Sequence, residues 1–324
     1  MNRRSILAAG ASLGLLPLSG RSARAQEWPS RPVQLVVPSS PGGSLDTLAR
    51  LLSEGLRTPL GQTVVVENRA GAAGAIGADY IAKSPPDGTR FLFGAVHHAI
   101  LPAVQHVPYD SANDLTPVTG IGGSPNALLV PPSLPARSMP ELVSWMRAQP
   151  AGSLTYATGG PGGLHHLTGA MFARALGIEM TAVHYRGSAP AINDLVAGRT
   201  TLMFETLPSA AGQIRGGALR ALAVTSAARS PAFPDLPTMT EAGFPNIQME
   251  TWYGLFGPKN TPDAIVQRLR GAVAEVLATP TIQAAWTQNG VAGGGEPVAT
   301  FTAFWRNELT RWASLAREAG MERE

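Results

Sequence analysis

The sequence predicts an α/β chain of two domains that face a shared cleft, and three observations carry that reading. An apolar run, Val33-Gln34-Leu35-Val36-Val37, leads into the glycine turn Pro38–Gly43 and then into a helical pattern carrying Leu48, Leu51, Leu52 and Leu56. The same unit returns about 120 residues later as the strand Leu154-Thr155-Tyr156-Ala157, the turn Thr158–Gly163 and a helix from Leu164. Strands also alternate with helices along much of the chain, the pattern of a parallel sheet with right-handed crossovers. Sites in such sheets lie beyond the C-terminal ends of strands, so two helix starts, one per domain, would close on a small ligand by hinge motion.

In order, Ser44 should cap the first helix, with Asp46 in its first turn, and the helix should run on from there to about Leu60 and end near Gly61. Val64-Val65-Val66 reads as a buried strand, followed by a helix to about Lys83, the turn Pro85–Gly88 and the strand Phe91–Gly94. From His97 to Pro117 the chain reads as irregular, punctuated by Pro102, Pro108 and Pro117. Asn126–Val130 is a strand crossing into the second domain, and Met139–Gln149 a helix capped by Ser138. After the second glycine turn come a helix to about Leu176, a strand at Thr181–Tyr185, a helix at Ala189–Ala197 and a strand at Thr201–Phe204 that ends at Glu205. A short helix spans Ala210–Gly216, and Arg220–Thr225 is read as the strand that returns to the first domain. The strand Tyr253–Phe256 precedes helices at Asp263–Leu277, Thr281–Asn289 and Val298–Ala319. The last carries Phe301, Phe304, Trp305, Leu309, Trp312 and Leu315 near helical spacing and should clamp the first domain's sheet. The expected organisation is 26–125 and 222–324 in the first domain and 126–221 in the second.

Residues 1–25 read as an export signal. Arg3 and Arg4 precede an apolar segment, Ile6–Leu18, too short to span a bilayer, and Ala23-Arg24-Ala25 offers a cleavage site. The start looks like a twin-arginine signal with Asn2 in place of the usual Ser or Thr; general secretion is the alternative. Removal takes four arginines and no acid, leaving 21 basic against 22 acidic side chains and a net charge of −1 instead of +3. The basic pI therefore gives no support to nucleic-acid binding. About 299 residues remain, enough for two cores, and the absence of Cys excludes disulfides and thiolate metal sites. The 36 Gly and 28 Pro are spread between periodic segments and mark turns of an ordered protein rather than a disordered tail.

Several chemistries lack their motifs. Gly42-Gly43 is followed by Ser44-Leu45-Asp46, which fits neither a dinucleotide fingerprint nor a phosphate-binding loop with its Lys. No G-x-S-x-G elbow is present, so Ser44 reads as a capping hydroxyl rather than a nucleophile. Among the six histidines, the adjacent pairs His97-His98 and His165-His166 diverge on any element, and no H-E-x-x-H occurs, so no metal is expected. His166 reads as a cleft or supporting residue. Arg186 pairs a ligand carboxylate or braces its loop. Glu205 would repel a carboxylate unless it accepts from a ligand hydroxyl, amine or water. The Pro38–Asp46 turn alone fits either an anion nest or an ordinary strand-to-helix corner.

With both turns and Tyr185-Arg186-Gly187 in view, the chain resembles the Bug family of extracytoplasmic solute receptors, related to tripartite tricarboxylate transporters. The resemblance runs through Arg31-Pro32, Pro41–Ser44 with Asp46 and Arg50, Val66–Arg69 with Gly71 and Gly74, Pro86–Thr89, Pro108-Tyr109-Asp110 and Asp114–Pro117. It continues through Tyr156, Gly162, His166-Leu167, His184–Gly187, Asp194-Leu195, Leu219–Thr225, Pro237-Thr238 and Glu241-Ala242-Gly243. It implies a type II periplasmic binding protein fold, two α/β domains joined by a hinge as a Venus flytrap, in a non-catalytic, monomeric periplasmic receptor with no cofactor. The implied ligand is a small organic carboxylate, held for a membrane permease of the tripartite tricarboxylate type or a sensor. Carried over, the grip would comprise Gly42, Gly43, Ser44 and Asp46 on one side and Thr158, Gly159, Gly162, Gly163 and His166 on the other. Tyr185 and Glu205 would stand nearby, with His97 and His98 shaping the specificity end. Leu45 stands where many relatives carry a small polar residue and Gly163 where many carry Ser, which implies a weaker grip on a second carboxylate or a more apolar ligand. An enzyme on the same fold, acting through Ser44, and a secreted interaction protein are the rival readings.

Overall fold

The computed structural model describes residues 28–318; the expected signal segment, 1–25, lies outside them. Three parallel strands open the chain: β1 (Val33–Val37) lies between β2 (Val64–Asn68) and β3 (Arg90–Ala95). They are joined by α1 (Ser44–Leu60) and by α2 (Ala75–Ala82), which a short 3-10 turn at Ala72–Gly74 precedes. β2 is an edge strand rather than a buried one, and Val65 is 45% exposed. The segment after β3 is α3 (His97–Val104), not an irregular stretch, and Pro102 sits within it.

The strand that organises the molecule is β4 (Leu115–Val130), sixteen residues long where only Asn126–Val130 was expected. Its first part runs antiparallel to β9 (Glu250–Pro258), which in turn pairs antiparallel with β3 and completes the first sheet. Its last part lies between β7 (Leu202–Thr206) and β8 (Arg220–Val224) in the second sheet. Beyond β7 come β5 (Thr155–Thr158) and β6 (Thr181–His184), all three parallel. Helices α4 (Met139–Arg147), α5 (Leu164–Leu176), α6 (Ser188–Val196) and α7 (Leu207–Arg215) belong to this half. β8 therefore does not return the chain to the first sheet; it pairs with Ala127–Val130, and β9 makes the return. The reason is hydrogen bonding: β8 satisfies the open edge of β4 left by β7 on its other side.

The two crossings are tied at one point. Asn126 N–H donates to Thr225 Oγ1 at 3.0 Å, Thr225 N–H to Asn126 O at 2.8 Å, and Thr251 Oγ1 to Asn126 Oδ1 at 3.1 Å. Two extended segments pinned by short polar contacts, with a core on either side, form a hinge.

The first sheet is covered on both faces. Leu35, Leu48, Leu52 and Leu56 pack with Phe93 and with Leu269 and Val273 of α8 (Asp263–Leu277). The opposite face carries Val36, Leu92 and Phe256 against Phe301, Trp305 and Trp312 of α10 (Val298–Glu318), with α9 (Pro280–Gln288) before it. The clamp expected of the last helix is thus present, although Phe304 and Leu315 of its stripe remain 39% and 37% exposed. Inside it, Glu308 accepts from the indole N–H groups of Trp252 at 2.7 Å and Trp312 at 3.0 Å, and Arg311 pairs with it at 3.0 Å. A buried carboxylate is tolerated only with such partners. Among the described residues no helix is long and apolar enough to cross a membrane.

Candidate functional site

Both glycine turns end on helix starts built the same way. Gly42 and Gly162 adopt φ +84° and +71°, a region open to glycine at little cost. Gly43 and Gly163 follow as N-caps with φ/ψ of −80°/173° and −79°/169°. Gly42 N–H donates to Asp46 Oδ2 at 2.9 Å, and Gly162 N–H to His166 Nδ1 at 3.1 Å. The first backbone N–H groups to find acceptors in the helices are those of Thr47, on Gly43 O, and Leu167, on Gly163 O. The N–H groups at Ser44 and Leu45, and at Leu164 and His165, precede them and are the orphan donors of a helix N-terminus.

Between these ends lies a cavity of about 320 Å³. Of the expected residues, Gly43, Ser44, His97, Gly159, Gly163 and Tyr185 line it, together with Leu45 and Arg186. Gly42, Asp46, Thr158, Gly162, His166 and Glu205 stand behind the wall. Asp46 also takes Arg50 Nε at 3.0 Å and Asn68 Nδ2 at 3.0 Å, so it holds the turn rather than facing a ligand. Burial opposes its ionisation, but Arg50, the Gly42 N–H and Asn68 outweigh that and hold its carboxyl below the usual range. Thr158 Oγ1 lies 2.8 Å from His184 Nδ1. Ser44 is the first helical residue and makes no side-chain cap; Ser138, by contrast, does cap α4, accepting from Glu141 N–H. The Ser44 hydroxyl faces the Tyr253 phenol instead.

Of the adjacent histidines at the α5 start, it is His165 that lines the cavity. His166 is stacked on Tyr156 at 6.2 Å between centroids and lies edge-on to His184 at 4.8 Å. Burial, then His184, lowers its pKa, so it stays neutral and able to accept the Gly162 N–H. A shift of one residue turns a helix by about 100°, which is why one neighbour faces in and the other does not. Tyr185 lines the cavity while its hydroxyl donates to Asp194 at 2.8 Å; burial and then that bond push the phenol up to about 12. His97 is held neutral, since burial drives its pKa well below the usual value.

One wall was missed by sequence reasoning. Ala70–Gly74 lines the cavity and holds Gly71, Ala72, Ala73 and Gly74 all at positive φ, from +46° to +134°. Its only sequence signal was the spacing of Gly71 and Gly74, since Ala in this region is uncommon. The lips of the two domains also meet here: a Cβ on Gly187 would fall 2.5 Å from Ser40 Oγ, and one on Gly160 would fall 3.3 Å from Ala73 Cβ. Among the described residues no group of three His, Cys, Asp or Glu is placed to hold a metal ion.

Comparison with known proteins decides the family. The family model described as the tripartite tricarboxylate transporter family receptor, TctC, matches residues 48–321. The chain belongs to this receptor family. The family is one of solute receptors rather than enzymes, and the fold is that of type II periplasmic binding proteins. The chain is similar to the UPF0065 protein in the tcbD-tcbE intergenic region of Pseudomonas sp. (strain P51), at 38% identity over 98% of this chain and 95% of the relative. Among solved structures, periplasmic binding protein BugD is 34% identical with a TM-score of 0.87, over 92% of this chain and 100% of that one. R. palustris Rpa4515, solved with adipate, is 39% identical with a TM-score of 0.86, over 90% and 98% of the two chains. MatC from Rhodopseudomonas palustris, solved with bound malate, is 30% identical with a TM-score of 0.81, over 88% and 99%.

Proposed function

We propose that this TctC receptor captures a small organic carboxylate in the periplasm, between its two domains, and presents the closed form to a membrane permease or a sensor. The observation that carries the reading is the pair of matched glycine turns and helix starts, which line one cavity from opposite domains. Backbone donors fixed by Asp46 and His166 are preorganised, so closing the cleft moves the anion from water onto aimed dipoles without further ordering of the chain. Gly43, Ser44, Gly159 and Gly163 would supply that grip, with the ring of Tyr185 and the imidazole of His97 shaping the rest. The adipate and malate held by two relatives are of the chemical class this site fits. The receptor acts as a monomer, and its bound state is the one a permease would read.

The test is a thermal-shift screen over dicarboxylates, keto acids, aromatic acids and amino acids. A ligand at a hundred times its Kd stabilises the folded state by about 2.7 kcal/mol, enough to raise the melting temperature by several degrees. The reading fails if no acid in any of these classes moves the transition.

A further inference from the structure

We propose that His165, set by Glu205, makes the second domain's wall of the cleft a reader of a hydrogen-bond donor on the ligand. The donor would be a hydroxyl or ammonium group beside the gripped carboxylate. The inference deepens the reading above and rests on it. Glu205 lies near the end of β7 with no exposed surface. Its Oε1 accepts the N–H and the hydroxyl of Thr206, each at 2.9 Å. Its Oε2 is equally buried and has no hydrogen-bond partner. No Lys or Arg among the described residues pairs with Glu205; the basic group at its side is His165, with Nδ1 3.6 Å from Oε2. A buried carboxylate oxygen with unspent lone pairs calls for a donor, and a proton on His165 Nδ1 supplies one. In that tautomer Nε2 is bare and accepts. His165 lines the cavity, so the edge away from Glu205 is what a ligand meets.

The neighbours behind this wall are neutral. His97, from α3, is neutral and has its own Nε2 buried without a partner, and His98 behind it is fully buried. From β9, the Tyr253 phenol is kept neutral by burial and by the charge of Glu205. His166 on the same helix is turned to Gly162, and Arg186 and His184 sit on the exposed lip. A second bare carboxylate at this wall would meet the Glu205 charge across one imidazole, whereas a hydroxyl or ammonium meets the accepting Nε2 of His165.

Isothermal titration of the full chain with malate, aspartate and succinate isolates the donor, because succinate lacks only that group. Malate, aspartate or both should bind about tenfold or more tightly than succinate, since a missing donor leaves buried groups unpaired. The malate arm reports a hydroxyl and the aspartate arm an ammonium. Glu205→Gln keeps an oxygen for Thr206 and turns an amide donor toward His165, so the preference should collapse or reverse. The 15N signature of His165 should move from the Nδ1–H to the Nε2–H tautomer in the same variant. Succinate binding as tightly as both partners, or an unchanged preference in folded Glu205→Gln, overturns the proposal. An Nε2–H tautomer of His165 in the native, unliganded chain overturns it whatever acid binds. Binding of no acid at all would instead remove the capture reading, while the tautomer still decides this one.

Discussion

Asp46 and His166 stand 120 positions apart and accept the same bond: each takes the N–H of the glycine four residues earlier, at 2.9 and 3.1 Å. One is a carboxylate and the other a neutral imidazole, yet both use the same geometry to hold a turn open toward the cleft. Residue by residue, Leu45 and His165 are then the equivalent side chains that face inward. The two half-sites are alike in backbone and different in what they show a ligand.

Replacing Asp46 by Ala removes acceptors from Gly42, Arg50 and Asn68 and should cost about 1–3 kcal/mol, read by urea unfolding. Asp46→Asn gives the pH test. Because the folded carboxyl titrates below its unfolded value, its contribution is complete above about pH 4 and is lost as pH falls through the lowered folded value. The stability gap between native chain and Asp46→Asn should therefore close only in that acid range. A gap that does not narrow at all as the pH falls below about 4 would contradict this.

Histidines titrate with the opposite consequence for a wider window. Burial lowers His98 to about 4 and lowers His97 and His166 as well, so the unfolded chain binds their protons first. Stability should rise with pH between about 4 and 6.5, with His98 alone giving a slope of up to about 1.4 kcal/mol per pH unit. Denaturant titrations at pH 5, 6 and 7 would show the slope, and His98→Gln should flatten it. A native chain equally stable at pH 5 and 7 rules out three imidazoles held neutral by the fold.

Gly187 holds φ +110° where the lips of the domains meet, and a Cβ there would crowd Ser40 Oγ. Gly187→Ala combines backbone strain with an overpacked contact to Ser40 across the two domains. Carboxylate affinity should drop about tenfold or more, with most of the stability retained. Small-angle scattering should show the variant failing to contract on adding ligand; full contraction would contradict the lip contact.

The α10 clamp offers two mutations with different mechanisms. Trp305 is 1% exposed, and Trp305→Ala should cost about 3–5 kcal/mol through the cavity it leaves. Glu308→Ala instead strands the indole N–H groups of Trp252 and Trp312 and should cost about 1–3 kcal/mol for each group left unpaired. Urea unfolding followed by tryptophan fluorescence measures both, and a neutral Glu308→Ala would mean water replaces the carboxylate.

Local patterns were the legible part. The strands and helices around both turns follow from apolar periodicity, and the glycine positions follow from a backbone conformation that other residues resist. Ser138 was read correctly as a cap and Ser44 was not, because a cap needs the preceding backbone to be extended at that very residue, and in α1 that residue is Gly43. Proline punctuation hid α3, since Pro102 falls far enough into its short length to break the pattern without ending the helix.

By itself, then, the sequence determined that two strand–turn–helix units recur, each with a glycine turn leading into a helix start. Those facts depend on contacts within a few residues. The tertiary structure decided that β4 serves both sheets, that β8 stays in the second, that His165 rather than His166 enters the cavity, and that Glu205 sits behind it with one oxygen unspent. Strand pairing is chosen by whichever edge is left with open hydrogen bonds, and a side chain's facing by which neighbours arrive across the cleft. Both depend on residues more than a hundred positions away, as Asn126 and Thr251 already show at the hinge.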